Sequence, residues 1–308
     1  MGGSSGTFGG SGRSPAEIAQ KLRKDAEAGA AEFDTVLADE FGKLLSRYNA
    51  RDTEEVAQKL GEIKAVLGDN LEGTFDTMFG GSVAKHTYVD GISDVDSILV
   101  ISGDLAEVTP HEILKQVGDA LYDGLNGPSE VSTGRVAVTV KYLDGPEIQL
   151  IPAINKDGKL NVPAWQENSW SSIDPQKFKD GLTKRNAECG GKVVPTLKLA
   201  KAINANLPEA ARLSGYHIES LGVAAFRGYA EERTTVRMLP YFFKQASTLV
   251  LTPMTDRTGQ SVHVDEYLGP ANSEARVAIS HTLARIHQRM LNASAAQSSE
   301  RWLDLFGE

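Results

Sequence analysis

Two aspartates one residue apart, Asp94 and Asp96, open an apolar, largely β-branched run that continues Ser97-Ile98-Leu99-Val100-Ile101. In an extended strand residues i and i+2 share a face, about 6.5–7 Å apart. The two carboxylates therefore project side by side from the start of a buried strand. Like charges held that close need a cation between them. One or two Mg²⁺ ions, taking oxygen ligands from carboxylates, phosphate and water, meet that need. Just upstream, Gly80-Gly81-Ser82 forms a small turn that lets backbone N–H groups and a hydroxyl approach phosphate oxygens. These parts together suit metal-assisted transfer of a nucleotidyl group. Asp-x-Asp alone is more often a solvated turn, and Gly-Gly-Ser alone is ordinary loop composition. It is their combination at this spacing, with Lys85-His86-Thr87 between them, that a solvated turn does not require.

The pattern Gly-Ser-x-Ala-Lys-x-Thr followed by Gly-x-Ser-Asp-x-Asp resembles the signature of the DNA polymerase β-like nucleotidyltransferases. Within them it is most similar to the bacterial CD-NTases, relatives of cyclic GMP–AMP synthase and oligoadenylate synthase that make oligonucleotide signals in anti-phage defence (CBASS). Gly81, Ser82, Lys85, Thr87, Asp94 and Asp96 match the motif residue by residue, and the resemblance covers roughly residues 60–305. It implies an α/β fold: a polymerase β-like nucleotidyltransferase core with a mixed sheet, and a C-terminal oligoadenylate-synthase-like helical lobe. It also implies two Mg²⁺ ions, for which Mn²⁺ could substitute, and NTP substrates joined into a cyclic di- or trinucleotide or a linear oligonucleotide. Asp94 and Asp96 are then metal ligands, and Ser82 with the Gly80-Gly81 backbone grips the β- and γ-phosphates.

Residues 134–154 read as a hairpin. Val136, Val138 and Val140 alternate on one face, Asp144-Gly145 is a turn signal, and Glu147-Ile148-Gln149-Leu150-Ile151-Pro152-Ala153 is the return strand. The family carries its third metal-binding acid on such a strand, where Gln149 stands here. An amide is a poor Mg²⁺ ligand beside a carboxylate. Glu147, two residues earlier on the same face, either supplies the third carboxylate, as metal ligand and catalytic group, or merely begins an exposed strand. A crippled site is the remaining reading.

The elements that position these groups follow from pattern. Ser14-Pro15-Ala16-Glu17 is a helix start, with apolar positions at Leu37, Phe41 and Leu45, and a second helix begins near Asp52-Thr53-Glu54-Glu55. Both helices are expected to brace the sheet. A further helix is expected over 111–125. Beyond Trp165 the character turns helical: Asp174-Pro175 reads as N-cap and first helical position, and 193–205 is a helix bearing Lys198 and Lys201. These two lysines match in position the family's lysine-bearing helix facing the nucleotide phosphates. Tyr216-His217-Ile218-Glu219-Ser220-Leu221 also resembles a family helix, with core packing and an internal hydrogen bond for Glu219 as the simpler reading. Thr252 to Gly259 resembles the family's Asp-Pro-Thr-Gly element, with Arg257 replacing Pro. A last long helix over 273–292 and a docked Trp302-Leu303-Asp304-Leu305-Phe306 end the chain. The expected organisation is a disordered tail (1–13), a nucleotidyltransferase core with N-terminal bracing helices (14–164) and a helical lobe (165–308), with NTPs between the lobes.

Composition narrows the classes. Of 308 residues, 41% are hydrophobic and 24% charged, as in ordinary globular proteins with room for two lobes. No apolar run approaches the ~20 residues of a membrane span. The single Cys189 allows neither an internal disulfide nor a cysteine zinc cluster, which fits a reducing cytoplasm. A net charge of −9 argues against constitutive binding of long nucleic acid. His217 has no second His or Cys at ligand spacing, and neither a Walker motif nor a Gly-x-Ser-x-Gly elbow is present. NTPs are the expected partners, with neither long nucleic acid nor membrane, and a regulatory protein partner of unspecified identity stays open. So do two other classes: a polymerase β-like enzyme with a tRNA or small-molecule acceptor, and a nucleotide-binding regulator that has lost catalysis with its third acid.

Overall fold

The computed structural model describes residues 15–49, 53–71, 74–79, 89, 95–102, 108–143, 147–156, 158–164, 168–254 and 264–308. Among the described residues seven strands form one mixed sheet: β1 (Thr74–Phe79), β2 (Val95–Ser102), β3 (Pro128–Thr133), β4 (Val138–Tyr142), β5 (Glu147–Lys156), β6 (Lys159–Pro163) and β7 (Trp170–Ile173). Five of them lie in the order β1-β2-β5-β4-β3, and β6 and β7 extend from the far end of β5. All neighbours are antiparallel except β2 and β5, which run parallel. That parallel pair is made possible by a crossover through α3 (Pro110–Gly124) and the β3–β4 hairpin.

The crossover helix has a sequence-encoded start. Thr109 accepts from the Glu112 N–H while Glu112 Oε2 accepts from the Thr109 N–H at 3.1 Å, a reciprocal capping box, and Pro110 occupies the first turn. Its buried stripe, Ile113, Leu114, Val117 and Leu121, meets Val56, Leu60, Ile63 and Leu67 of α2 (Thr53–Asn70). Together the two helices cover one sheet face, burying Leu99, Ile101, Val138, Val140, Ile148 and Leu150. At roughly 1.5–3 kcal/mol per buried large aliphatic side chain, this layer anchors β2 and β5 firmly.

The second half is helical: α4 (Pro175–Glu188), α5 (Val193–Ala205), α6 (Gly215–Ala225), α7 (Thr235–Leu249), α8 (Glu274–Ala295) and α9 (Ser299–Leu303). Asp174 caps α4 by accepting from the Lys177 N–H at 3.0 Å, with Pro175 next, as its sequence requires. At Gly222 of α6 a Cβ would fall 2.4 Å from Leu197 Cδ2, so a larger residue there would force the buried Leu197 side chain to shift.

Two sequence expectations are revised by packing. Of the two N-terminal helices, α2 is the one whose described residues pack in the sheet's core cluster. The buried stripe of α1 (Pro15–Tyr48), which is Phe33, Leu37, Phe41, Leu44 and Tyr48, joins the helical core instead and packs on α5 and α7. Phe41 sits edge-on to Trp302 and Phe306 at 5.5 and 5.8 Å, so the C-terminal segment docks on α1. The sheet also continues past residue 164, because Trp170-Ser171-Ser172-Ile173 pairs with β6 before the chain turns helical at Asp174.

Candidate functional site

The parallel pairing of β2 with β5 brings together the two strands singled out by the sequence. Asp96 is registered directly with Gln149, and Val95 with Ile148. On the other side of β5, Thr139 of β4 pairs with Gln149 and Lys141 with Glu147. Because side chains alternate along a strand, Ile148 and Leu150, fully buried under α2 and α3, leave Glu147 and Gln149 on the opposite face, where both are half-buried. The position of Asp96 belongs to that same side of the sheet. The return strand therefore delivers one carboxylate and one amide beside the second aspartate of the motif. Asp94, together with Gly81, Ser82, Lys85 and Thr87, lies outside the described residues, as do the Asp144-Gly145 turn and Arg257. Among the described residues no three His, Cys, Asp or Glu side chains converge in a metal-holding group. The donors that this strand pair supplies are oxygen donors, the chemistry a hard cation such as Mg²⁺ takes. One described residue of the connection between β1 and β2, Val89, is fully buried in the helical core.

The two lysines of α5 have different surroundings. Lys201 is buried, and its Nζ lies 2.7 Å from Glu219 Oε1 of α6, itself 1% exposed. This is the internal partner anticipated for Glu219. Lys198, one turn earlier and half-buried, donates to Asn49 Oδ1 at the end of α1. Burial, with the Lys201 charge alongside, holds its pKa below the ordinary lysine value. A partly desolvated ammonium gains more from an incoming phosphate than a fully hydrated one does.

A buried polar network passed unnoticed in the sequence. Arg276, at the start of α8, is wholly buried, and its guanidinium donates to the Gly269, Val250 and Asp265 carbonyls at 2.9, 3.0 and 3.2 Å and to Asp265 Oδ2 at 2.7 Å. The Asp265 carboxylate also accepts from the Met254 N–H at 3.1 Å. The network ties together both ends of the connection between α7 and α8. A signal was present: Arg276 occupies the first position of the buried stripe Ile279, Leu283, Ile286 and Met290, where an arginine must find partners inside the protein.

Beside this network His217 is fully buried, with Nδ1 2.9 Å from the Tyr267 hydroxyl and Nε2 3.7 Å from Asp265 Oδ2. Among the described residues it faces Asp265, Arg276 and Tyr267. Burial, opposed by Asp265 and reinforced by Arg276, pushes its pKa down to about 4. The unfolded chain then binds the extra proton between pH ~6.5 and ~4, so this contribution to stability is complete above 6.5 and is lost as pH falls. The wild type is expected to lose about 2 kcal/mol more than His217→Gln between pH 7 and 5, read by urea unfolding. Parallel pH profiles for the two proteins would contradict this.

Residues 36–186 match the family of the Second Messenger Oligonucleotide or Dinucleotide Synthetase domain. No curated protein sequence matches the chain. Solved structures share its fold. The Bradyrhizobium diazoefficiens CD-NTase CdnG in complex with GTP gives a TM-score of 0.64 at 14% identity, over 89% of this chain and 95% of that one. Escherichia coli DncV bound to 3′-deoxy GTP gives 0.62 at 16% identity, over 96% and 90%. E. coli MS115-1 CdnC in its complex with HORMA-deltaN gives 0.55 at 17% identity, over 91% and 96%. No helix among the described residues is long and apolar enough to cross a membrane. The domain match over residues 36–186 and the fold that the chain shares with the bacterial CD-NTases together indicate a nucleotidyltransferase.

Proposed function

We propose that the chain joins NTPs in a Mg²⁺-dependent reaction into a cyclic di- or trinucleotide, or a linear oligonucleotide, that serves as a second messenger in cytoplasmic anti-phage signalling. The observation that carries this reading is the β2–β5 register, which sets Asp96 against Gln149 with Glu147 two residues away on the same face. Asp94, Asp96 and Glu147 are the residues that would hold the metal. Bound there, Mg²⁺ would neutralise triphosphate charge and favour ionisation of the attacking ribose hydroxyl. In this reading Ser82 and the Gly80-Gly81 backbone hold the β- and γ-phosphates, with Lys85 and Thr87 close by in the sequence. Lys198 meets phosphate with its ammonium, and Lys201, paired to Glu219, provides the fixed charge behind it. Pyrophosphate leaves in line, opposite the attacking hydroxyl. A regulatory protein partner belongs to this reading, since the CdnC relative forms a complex with HORMA-deltaN.

Gln149 favours a second reading, a nucleotide binder without catalysis, because it stands where the family carries an acid. The two readings part at Glu147. A carboxylate there can take the proton of the attacking hydroxyl, whereas the Gln149 amide can only position it. Glu147→Gln is therefore expected to lose at least ~10²-fold in product formation at saturating Mg²⁺, and Gln149→Ala to lose less. A near-wild-type Glu147→Gln together with a dead Gln149→Ala would transfer the role to the amide. If Gln149→Asp instead raises a near-zero rate, the chain is a binder that has lost its third acid.

A further inference from the structure

The end of α1 gives three consecutive residues three different anchors. Arg47 lies 2.8 Å from the Glu308 carboxylate, Tyr48 is buried in the helical core, and Asn49 reaches α5, where its Oδ1 accepts from Lys198 Nζ. The Asn49 N–H donates to the Ser46 carbonyl at 3.3 Å and closes the turn. Phe41, Leu44 and Tyr48 already fix α1 against the helical half. Asn49 itself is exposed, so its bond to Lys198 adds little to that packing. What the bond does is order one side chain, the half-buried lysine of α5.

We propose that Asn49 is a positioning residue for phosphate recognition, holding the Lys198 ammonium in the direction from which a nucleoside triphosphate meets it; this rests on the reading of Lys198 as a phosphate contact. A lysine carries its charge on a flexible four-carbon stem. Ordering such a side chain at the moment of binding costs affinity, and a side chain ordered beforehand spares the ligand about two- to tenfold. An ammonium has three N–H groups, and the Asn49 bond occupies one of them. The chemistry of the acceptor matters as much as its place. Lys201, one turn further along α5, is buried against the Glu219 carboxylate at 2.7 Å, and that pair compensates its own charge. Asn49 instead offers Lys198 a neutral amide oxygen, which sets direction without cancelling the charge that draws phosphate. A carboxylate at the same position would hold the ammonium equally well and oppose an incoming anion. Asn49 acts through Lys198 and need not touch the nucleotide.

Equilibrium binding tests it on the full chain with Mg²⁺, using the α,β-methylene analogues of the four NTPs, each measured separately, and following the tightest through the variants. Binding without turnover reads the contact whether or not the chain catalyses. Asn49→Ala is expected to weaken binding about three- to tenfold, Asn49→Asp more than Asn49→Ala, and Asn49→Gln, which keeps a neutral acceptor, less than either. Thermal unfolding of the three Asn49 variants should match the wild type. In a Lys198→Ala background, Asn49→Ala should add no further loss, as required of two residues acting through one contact. Wild-type binding by Asn49→Ala beside a Lys198→Ala variant weakened about tenfold or more would overturn the role of Asn49 and leave Lys198 in place. Additive losses in the double variant, or Asn49→Asp binding as tightly as the wild type, would overturn it likewise. Wild-type binding by Lys198→Ala, or no binding of any analogue by the wild type, would overturn both the role of Asn49 and the reading of Lys198.

Discussion

Asp94→Asn and Asp96→Asn are each expected to bring product formation down at least about a thousandfold, with the fold intact. The magnitude follows from the several kcal/mol that a metal ion contributes to a phosphoryl transition state, each 1.36 kcal/mol being tenfold in rate. An amide in place of either carboxylate removes charge from the donor set. The fold should survive because β2 is anchored past the motif, by Leu99 and Ile101 under α2 and α3 and by the whole length of its pairing with β5. Ser82→Ala should cost less, since the backbone donors of the Gly80-Gly81 turn remain. Thermal unfolding beside product formation separates loss of chemistry from loss of structure. Wild-type turnover by either Asn variant would remove the assignment.

The largest effect on stability is expected at the Arg276–Asp265 pair. Both side chains are buried, and Asp265→Asn would leave the guanidinium without its counter-charge inside the helical half. Breaking one partner of such a pair typically costs 3–5 kcal/mol, because the stranded charge must remain desolvated. Arg276→Met should cost a similar amount, since the Val250 and Gly269 carbonyls and the Asp265 carboxylate all lose a donor. Replacing both residues with apolar ones should recover part of that loss. Urea unfolding of the two single variants and the double variant gives the comparison. A loss below about 1 kcal/mol in Asp265→Asn would show that the network is only loosely tied.

The two strands of the candidate site were legible from sequence because their signals are local. Asp-x-Asp before a β-branched run, and the alternation of Glu147, Ile148, Gln149 and Leu150, fix strand identity and face without long-range information. The helix start at Asp174-Pro175 was equally local, written in capping residues, whereas the Thr109-Pro110 capping box, just before the helix expected over 111–125, was not singled out. What failed was partner choice. The apolar stripe of α1 announced a buried face but not its neighbour, and the helical half proved to be that neighbour. The β7 strand was missed because four residues rich in serine carry little periodicity, and its pairing with β6 decides the matter. Arg276 and Asp265 lie 11 residues apart across a bend, so neither residue type nor spacing predicts the contact. Lys198 and Lys201, alike in sequence, are separated only by the helix opposite, which offers Glu219 to one of them.

The central claim, phosphodiester synthesis from NTPs, is tested most directly by incubating the chain with radiolabelled NTPs and Mg²⁺ and then with phosphatase. The account predicts labelled products that survive phosphatase, form without tRNA or drug acceptor, and are absent from the Asp94→Asn and Asp96→Asn reactions. Complete release of label as inorganic phosphate, across all four NTPs and with Mn²⁺ in place of Mg²⁺, would contradict it.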